Sequence, residues 1–284
     1  MIVRKNLFGL AAMAVASILL SGLAGRARAA DLPASMLKRG TIRYCSAINL
    51  PPMEFMNASA HPVGVDIDLG DEIAQRLGLK PVWINVPFAG VIPALLADHC
   101  DAIMSQLFIK PARLEVIDEI PYMNSHEAIL MKAGAPKVGS LTGLSGRKAA
   151  TVTGTTATIM LQQANASLAA AKKPLIEIVA FPENTPALQQ VQFGQVAAYG
   201  VAYETARYYI HTAPDQFELG GPPYFKVATG IGMRKDETAL NTAFRATLAA
   251  MMKDGAYARI FTKWDLQIDM LTPASEKESD PPKP

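Results

Sequence analysis

A chain of 284 residues, half of them hydrophobic and 18% charged, is long enough for two modest domains and too apolar to be a disordered polymer. Its 27 basic and 25 acidic residues leave a net charge of +2, which excludes the dense basic footprint of a nucleic-acid or anionic-membrane binder. Two cysteines and four scattered histidines provide no metal-ligand spacing, and no motif implies a cofactor, so neither is expected.

Residues 1–29 read as a secretory signal. Arg4 and Lys5 precede an apolar run over 7–23, and Ala27-Arg28-Ala29 gives the small-x-small pattern of cleavage after about Ala29. Export to the periplasm is the expectation. Cleavage removes Arg4, Lys5, Arg26 and Arg28 and no acid, so 23 basic groups then face 25 acidic ones and the net charge becomes −2. Such a compartment permits Cys45 and Cys100 to pair. The strand reading nevertheless sets them at offset heights on parallel neighbours, so pairing stays open.

Residues 41–46 are rich in β-formers and predict a first strand. The stretch Asn49-Leu-Pro-Pro-Met-Glu-Phe55 is stiffened by proline and suits neither a helix nor a central strand. Gly64-Val-Asp-Ile-Asp-Leu69 leads into a helix carrying Leu69, Ile73 and Leu77 at i, i+4, i+8, stopped by Gly78. A second strand follows at 81–86. A short helix over 90–98 then places Ile92, Leu95 and Leu96 on one face.

The next stretch, 101–113, concentrates the chemistry. A short apolar strand over 102–104 meets a polar elbow at Ser105-Gln106. Lys110-Pro111 then opens a short helix in which proline at the first position loses nothing. That helix delivers Arg113 at the carboxyl edge of a parallel sheet, where open α/β folds bind ligands. A guanidinium holds a planar carboxylate through two parallel charge-assisted bonds. The alternative for Arg113 is an exposed pair with Glu115 or Asp118.

Further on, 127–132 reads as a connecting strand, and the Gly/Pro/Ser-rich segment 133–146 marks a passage into another lobe. A strand at 148–153 runs into Gly154-Thr155-Thr156 and a helix lined by Met160, Ala164 and Leu168. Such a turn offers an anion free backbone amides and two hydroxyls; plain N-capping by Thr155 is the alternative. A strand (175–181), a helix (185–193), a strand ending at Ala202-Tyr203-Glu204 and a return strand (224–233) follow. Two helices close the order, one capped by Asp236 with Leu240, Phe244, Leu248 and Met251 in register, one over 255–264. Residues 273–284 are polar and proline-rich, a disordered tail. The β–α–β alternation specifies mostly parallel sheets covered by helices.

With these pieces in place, the sequence resembles the periplasmic solute-binding proteins of polar amino acid ABC importers, family 3. Four stretches carry the resemblance over nearly the whole exported chain: Pro51-Pro-Met-Glu-Phe55; Gly64 to Leu69; Asp101-Ala-Ile-Met-Ser105 through Arg113 to Pro121-Tyr122; and Gly255-Ala-Tyr257 through Lys263-Trp264. The resemblance implies a two-lobed type II fold with lobe 1 at 30–131 and 231–272 and lobe 2 at 132–230. Two hinge segments would cross near 130–133 and 228–232, with the ligand between the lobes. It also implies that Arg113 grips the ligand carboxylate, helped by Ser105, Gly154, Thr155 and Thr156. Phe88 would form a wall, unless it is ordinary core. Gln106, Glu54 and Glu204 complete the candidate set. The implied partners are a small carboxylate-bearing, amino-acid-like solute and an inner-membrane ABC permease, with the protein itself a monomer.

The departures from the family pattern are equally informative. Lys110 stands for a threonine and Leu50 for a stacking tyrosine. Ala202 stands for the aspartate that takes the ligand's ammonium. A buried ammonium without a carboxylate costs several kcal/mol. Either Glu54 or Glu204 supplies the charge, or the ligand is not an ordinary α-amino acid. Lys110 would suit a second acidic group on the ligand, or it faces solvent. The leading expectation is a binding protein that closes on its solute. The alternatives are a dehydratase of the cyclohexadienyl type, with Glu54 or Glu204 as its acid, and an accessory protein of a periplasmic oxidoreductase with a degenerate cleft.

Overall fold

The computed structural model describes residues 32–271, so the expected signal at 1–29 and tail at 273–284 lie outside the described residues. Helix α1 (Ala34–Arg39) leads into β1 (Thr41–Ser46), β2 (Asn49–Leu50), β3 (Glu54–Met56) and β4 (Pro62–Val63). Helix α2 (Val65–Arg76), strand β5 (Lys80–Asn85), α3 (Val91–Leu96), β6 (Ala102–Phe108) and α4 (Pro111–Leu114) follow. The chain then runs through β7 (Asp118–Lys132), β8 (Lys148–Val152), α5 (Thr156–Ala170), β9 (Glu177–Phe181) and α6 (Asn184–Gln192). It ends with β10 (Ala198–Ala202), α7 (Tyr203–Thr212), β11 (Phe217–Leu219), β12 (Tyr224–Met233), α8 (Thr238–Asp254) and α9 (Ala256–Lys263).

The strands form one sheet in the order β5-β1-β6-β12-β7-β10-β8-β9, with β11 on the edge of β7. At each end the pairing is parallel, β1 with β5 and β6, and β8 with β9 and β10. Between these ends lie the two long strands β7 and β12, antiparallel to one another and to their neighbours. The proline-stiffened loop is a small separate sheet, β2-β3-β4.

The apolar residues gather on either side of this central pair. One cluster packs α2, α8 and α9 on the sheet through Leu69, Ile73, Phe244, Leu248 and Phe261. Further clusters pack α5, α6 and α7 on the other half through Leu161, Leu168, Val191 and Ala206. The helical spacing read from the sequence put Leu69, Ile73, Leu168, Phe244 and Leu248 on the buried faces, and burial of each large side chain stabilises the fold by about 1.5–3 kcal/mol.

Several expectations need correction. Strand β6 does not stop at Met104 but runs to Phe108, and all seven residues are buried. The expected elbow survives as a positive φ of 40° at Gln106 inside the strand. In α3 the buried face is Val91, Ala94 and Leu95, whereas Leu96 is exposed, because the helix is only six residues long and follows a 3-10 turn at Phe88–Gly90. The N-cap position of α8 is Glu237 rather than Asp236. Helices α1 and α7 and strand β11 were not anticipated. In α7 three tyrosines within seven residues mask the helical period.

The open question of the cysteines is settled: Cys45 and Cys100 form a disulfide with Cα atoms 5.6 Å apart. The register aligns Cys45 with Ile103, as the offset argument assumed. Cys100, however, precedes β6, where the chain arrives from α3 across the sheet face. The Asp101 amide bonds the Arg43 carbonyl at 2.8 Å there, and both cysteines sit in one apolar cluster with Val91 and Leu95.

Candidate functional site

A cleft lies between the two groups of apolar clusters, with Arg113 on one side and Thr155, Thr156 and Ala157 at the start of α5 on the other. Proline at the first position of α4 turns the chain so that Arg113 points inward, and the side chain is buried to 9% exposure. Its Nη1 donates to the Phe108 carbonyl at 2.7 Å and its Nη2 to the Gly154 carbonyl at 3.3 Å, which belongs to the opposite wall. The guanidinium lies 5.5 Å from the centre of the Phe88 ring, a cation–π contact. No ion pair of Arg113 is found among the described residues, so the alternative of a surface pair with Glu115 or Asp118 is not realised. Burial draws its pKa down to about 10, against the pull of Glu119 and Glu127.

The opposite wall starts at Gly154, whose φ of +83° favours glycine and where an added Cβ would come within 3.3 Å of the Ala89 Cα. Thr155 occupies the N-cap position of α5, yet its hydroxyl donates back to the Val152 carbonyl at 2.7 Å and caps nothing. The first amides of α5 are therefore left for other acceptors. One of them, at Ala157, meets the carboxyl of Glu127.

Behind Arg113 lies a row of buried acids. Ser105 donates to Glu54 at 2.8 Å and accepts from the Ala47 amide at 3.0 Å, which locks the entry of the loop. Asp66 accepts from the Gln106 amide at 2.7 Å and from the Tyr122 hydroxyl. Burial and the neighbouring Asp66 push Glu54 well above the carboxylate range, and burial raises Asp66 to about 6.

Of the expected residues, Arg113, Thr155, Thr156, Phe88, Glu54 and Gln106 line the cleft, while Ser105 and Gly154 stand directly behind it. Phe88 lines the cleft and also packs against two apolar clusters. Glu204 is displaced from its expected place. It does not line the cleft but lies beyond Gln106, whose Nε2 donates to it at 2.9 Å. Lys110 is half-buried, and burial, helped by the neighbouring Arg113, lowers its pKa to about 8.

Sequence reasoning missed Glu127, Asn184 and Tyr199, all of which line the cleft. Asn184 donates to Asn49 at 2.7 Å across the cleft and accepts from the Tyr199 hydroxyl. Glu127 is the most instructive. It is the cross-strand partner of Ala202 in the β7–β10 ladder, and such pairs put their side chains on one face. Burial and the nearby Glu204 raise it to about 8, and its Oε2 is buried with no hydrogen-bond partner among the described residues. Only the pairing register, which sequence does not display, connects positions 127 and 202.

An α/β sheet crossed by two long antiparallel strands, with a cleft between two sets of clusters, defines the two-lobed type II binding fold. The profile of the bacterial extracellular solute-binding proteins, family 3, matches residues 42–267, and the chain belongs to that family. It is 29% identical over 254 residues to the lysine/arginine/ornithine-binding periplasmic protein of Escherichia coli K12, covering 86% of this chain and 94% of that one. It is 28% identical to the histidine-binding periplasmic protein of Salmonella typhimurium LT2, over 75% of this chain and 83% of that protein. Among solved structures, an ancestral arginine-binding protein bound to arginine superposes with a TM-score of 0.75 at 28% identity, over 80% of this chain and 98% of that one. An ancestral amino acid-binding protein, precursor of cyclohexadienyl dehydratase, gives 0.74 at 29%, over 81% and 97%.

Proposed function

We propose that this chain is the periplasmic solute-binding component of an ABC importer for an amino acid. Arg113 holds the ligand's carboxylate and Glu127 its ammonium. The observation that carries the reading is the β7–β10 register: the missing aspartate of position 202 is answered by a carboxylate on the facing strand, with one oxygen unpartnered beside the cleft. Ligand bridging the two walls favours the closed arrangement by its greater affinity for it.

The apolar clusters support a division of the chain into lobes. One contains residues up to Met123 and from Ile231 on, while the others hold Ala128 to Phe217. On this reading the crossings fall at 124–127 and 224–230, a few residues before the expected division in β7. No helix among the described residues is long and apolar enough to cross a membrane, which fits an exported binding protein served by a separate permease. Capture rather than turnover is the reading: the relatives are named as binding proteins, and the neighbour that precedes a dehydratase is itself an amino acid-binding protein.

A thermal-shift panel of free amino acids on the exported protein tests this. At least one is expected to raise Tm, and Arg113→Ala should weaken its binding by about 30-fold to several thousand-fold, since it strips one partner from a buried charge pair. An unchanged shift in that variant removes Arg113 from the site.

A further inference from the structure

Beyond Gln106, three metal-ligating side chains from distant parts of the chain converge. They are His126 on β7, Glu204 in the first turn of α7, and Asp269 in the 3-10 turn Gln267–Asp269. One ligand atom from each lies within 4.8 Å of the other two. Glu204 is 1% exposed and Asp269 4%. Oε2 of Glu204 accepts from Ser125 at 2.6 Å and Gln106 at 2.9 Å, whereas its Oε1 is buried without a partner among the described residues. Asp269 Oδ2 is likewise buried and unpartnered.

Two buried carboxylates brought together repel, and an unpartnered oxygen carries its full desolvation cost. Protonation is one answer, and burial does raise Glu204 to about 8, helped by Asp269, and Asp269 to about 6. A proton, however, satisfies one oxygen and leaves the imidazole unused. One imidazole nitrogen with two carboxylate oxygens is a donor set for a divalent transition ion that keeps water in its remaining positions. The neighbouring guanidinium is engaged elsewhere. Arg207, which draws Asp269's pKa down, is paired with Asp265 at 3.5 Å. An open groove lined by Glu204, Arg207, Tyr208, Trp264 and Asp265 gives an ion its path.

We propose that His126, Glu204 and Asp269 bind a divalent transition-metal ion of the zinc type, separate from the solute cleft. The ion ties α7, which packs with the second group of clusters, to the C-terminal segment, which packs with the first through Leu266 and Met270. It would thus clasp the two halves on the side away from the ligand.

The test uses exported, untagged protein stripped with chelator and then titrated with zinc chloride. At a hundredfold excess over Kd, Tm should rise by roughly 5–10 °C. Cobalt chloride should give a visible ligand-field absorption band. Asp269→Asn and His126→Gln should each abolish both signals. His126 is half-buried and its variant is expected to fold, so the pair remains readable if Asp269→Asn does not. Absence of a zinc-dependent shift in the parent protein, or a shift that persists in both folded variants, overturns the assignment.

Discussion

On the wall of the cleft built by β3, β6 and α4, the polar groups are ionisable side chains already held by neighbours on that wall: Glu54 by Ser105, Asp66 by the Gln106 amide, Arg113 by the Phe108 carbonyl. On the wall built by β8, β10 and α5, they are a turn, a helix start and hydroxyls bonded back to Val152. The first half also carries the Cys45–Cys100 disulfide, while no disulfide joins the second half among the described residues. The difference separates two tasks. One wall holds charge at fixed positions, and the other offers backbone groups that complete the site when the halves meet. Two contacts, Arg113 to Gly154 and Asn184 to Asn49, already cross between them.

That contrast can be broken in graded ways. Removing the disulfide with Cys45→Ala and Cys100→Ala should cost about 2–5 kcal/mol of unfolding free energy, measured by urea denaturation. Solute affinity should change little, because the bridge lies in the cluster below α3 and not in the cleft. A large loss of affinity would show that the first wall depends on the bridge for its shape. Asn49→Ala removes a hydrogen bond that crosses the cleft, worth about 1 kcal/mol, so solute binding should weaken roughly fivefold by calorimetry. No change would mean that this contact does not belong to the ligand-bound arrangement.

The remaining lever is a pH trend. Asp66 and Glu119 have folded pKa values raised by burial to about 6 and about 7, above those of the unfolded chain. Their contribution to stability is therefore complete below about pH 4 and is lost as pH rises through 6 to 7. Chelator-treated protein without solute should melt at a higher temperature at pH 5 than at pH 8. Glu119→Gln should flatten that slope, and a parent protein equally stable at both values would contradict the assigned burial.

Much of this was legible in the residues. Strand β12 and the buried faces of α2, α5 and α8 follow from hydrophobic period, and Arg113 from a strand end running into Lys110-Pro111. The rest depended on information that spacing does not contain. Glu127 joins the site through an antiparallel register. Glu204 leaves it because α7, masked by its tyrosines, carries the side chain behind Gln106. The cysteines meet because the chain crosses a sheet face before entering β6. His126, Glu204 and Asp269 are separated by 78 and 65 positions, so no ligand spacing announces them. Each of these is a long-range pairing.

The central claim is that the ammonium partner has moved from position 202 to position 127 across one rung of the β7–β10 ladder. The direct measurement is calorimetric titration of the best amino acid from the panel into parent protein, Glu127→Ala, and Glu127→Ala combined with Ala202→Asp. The account predicts that Glu127→Ala loses at least about tenfold in affinity, since it leaves a buried ammonium unpaired, and that the added aspartate restores a large part of it. Undiminished affinity in Glu127→Ala would contradict the account.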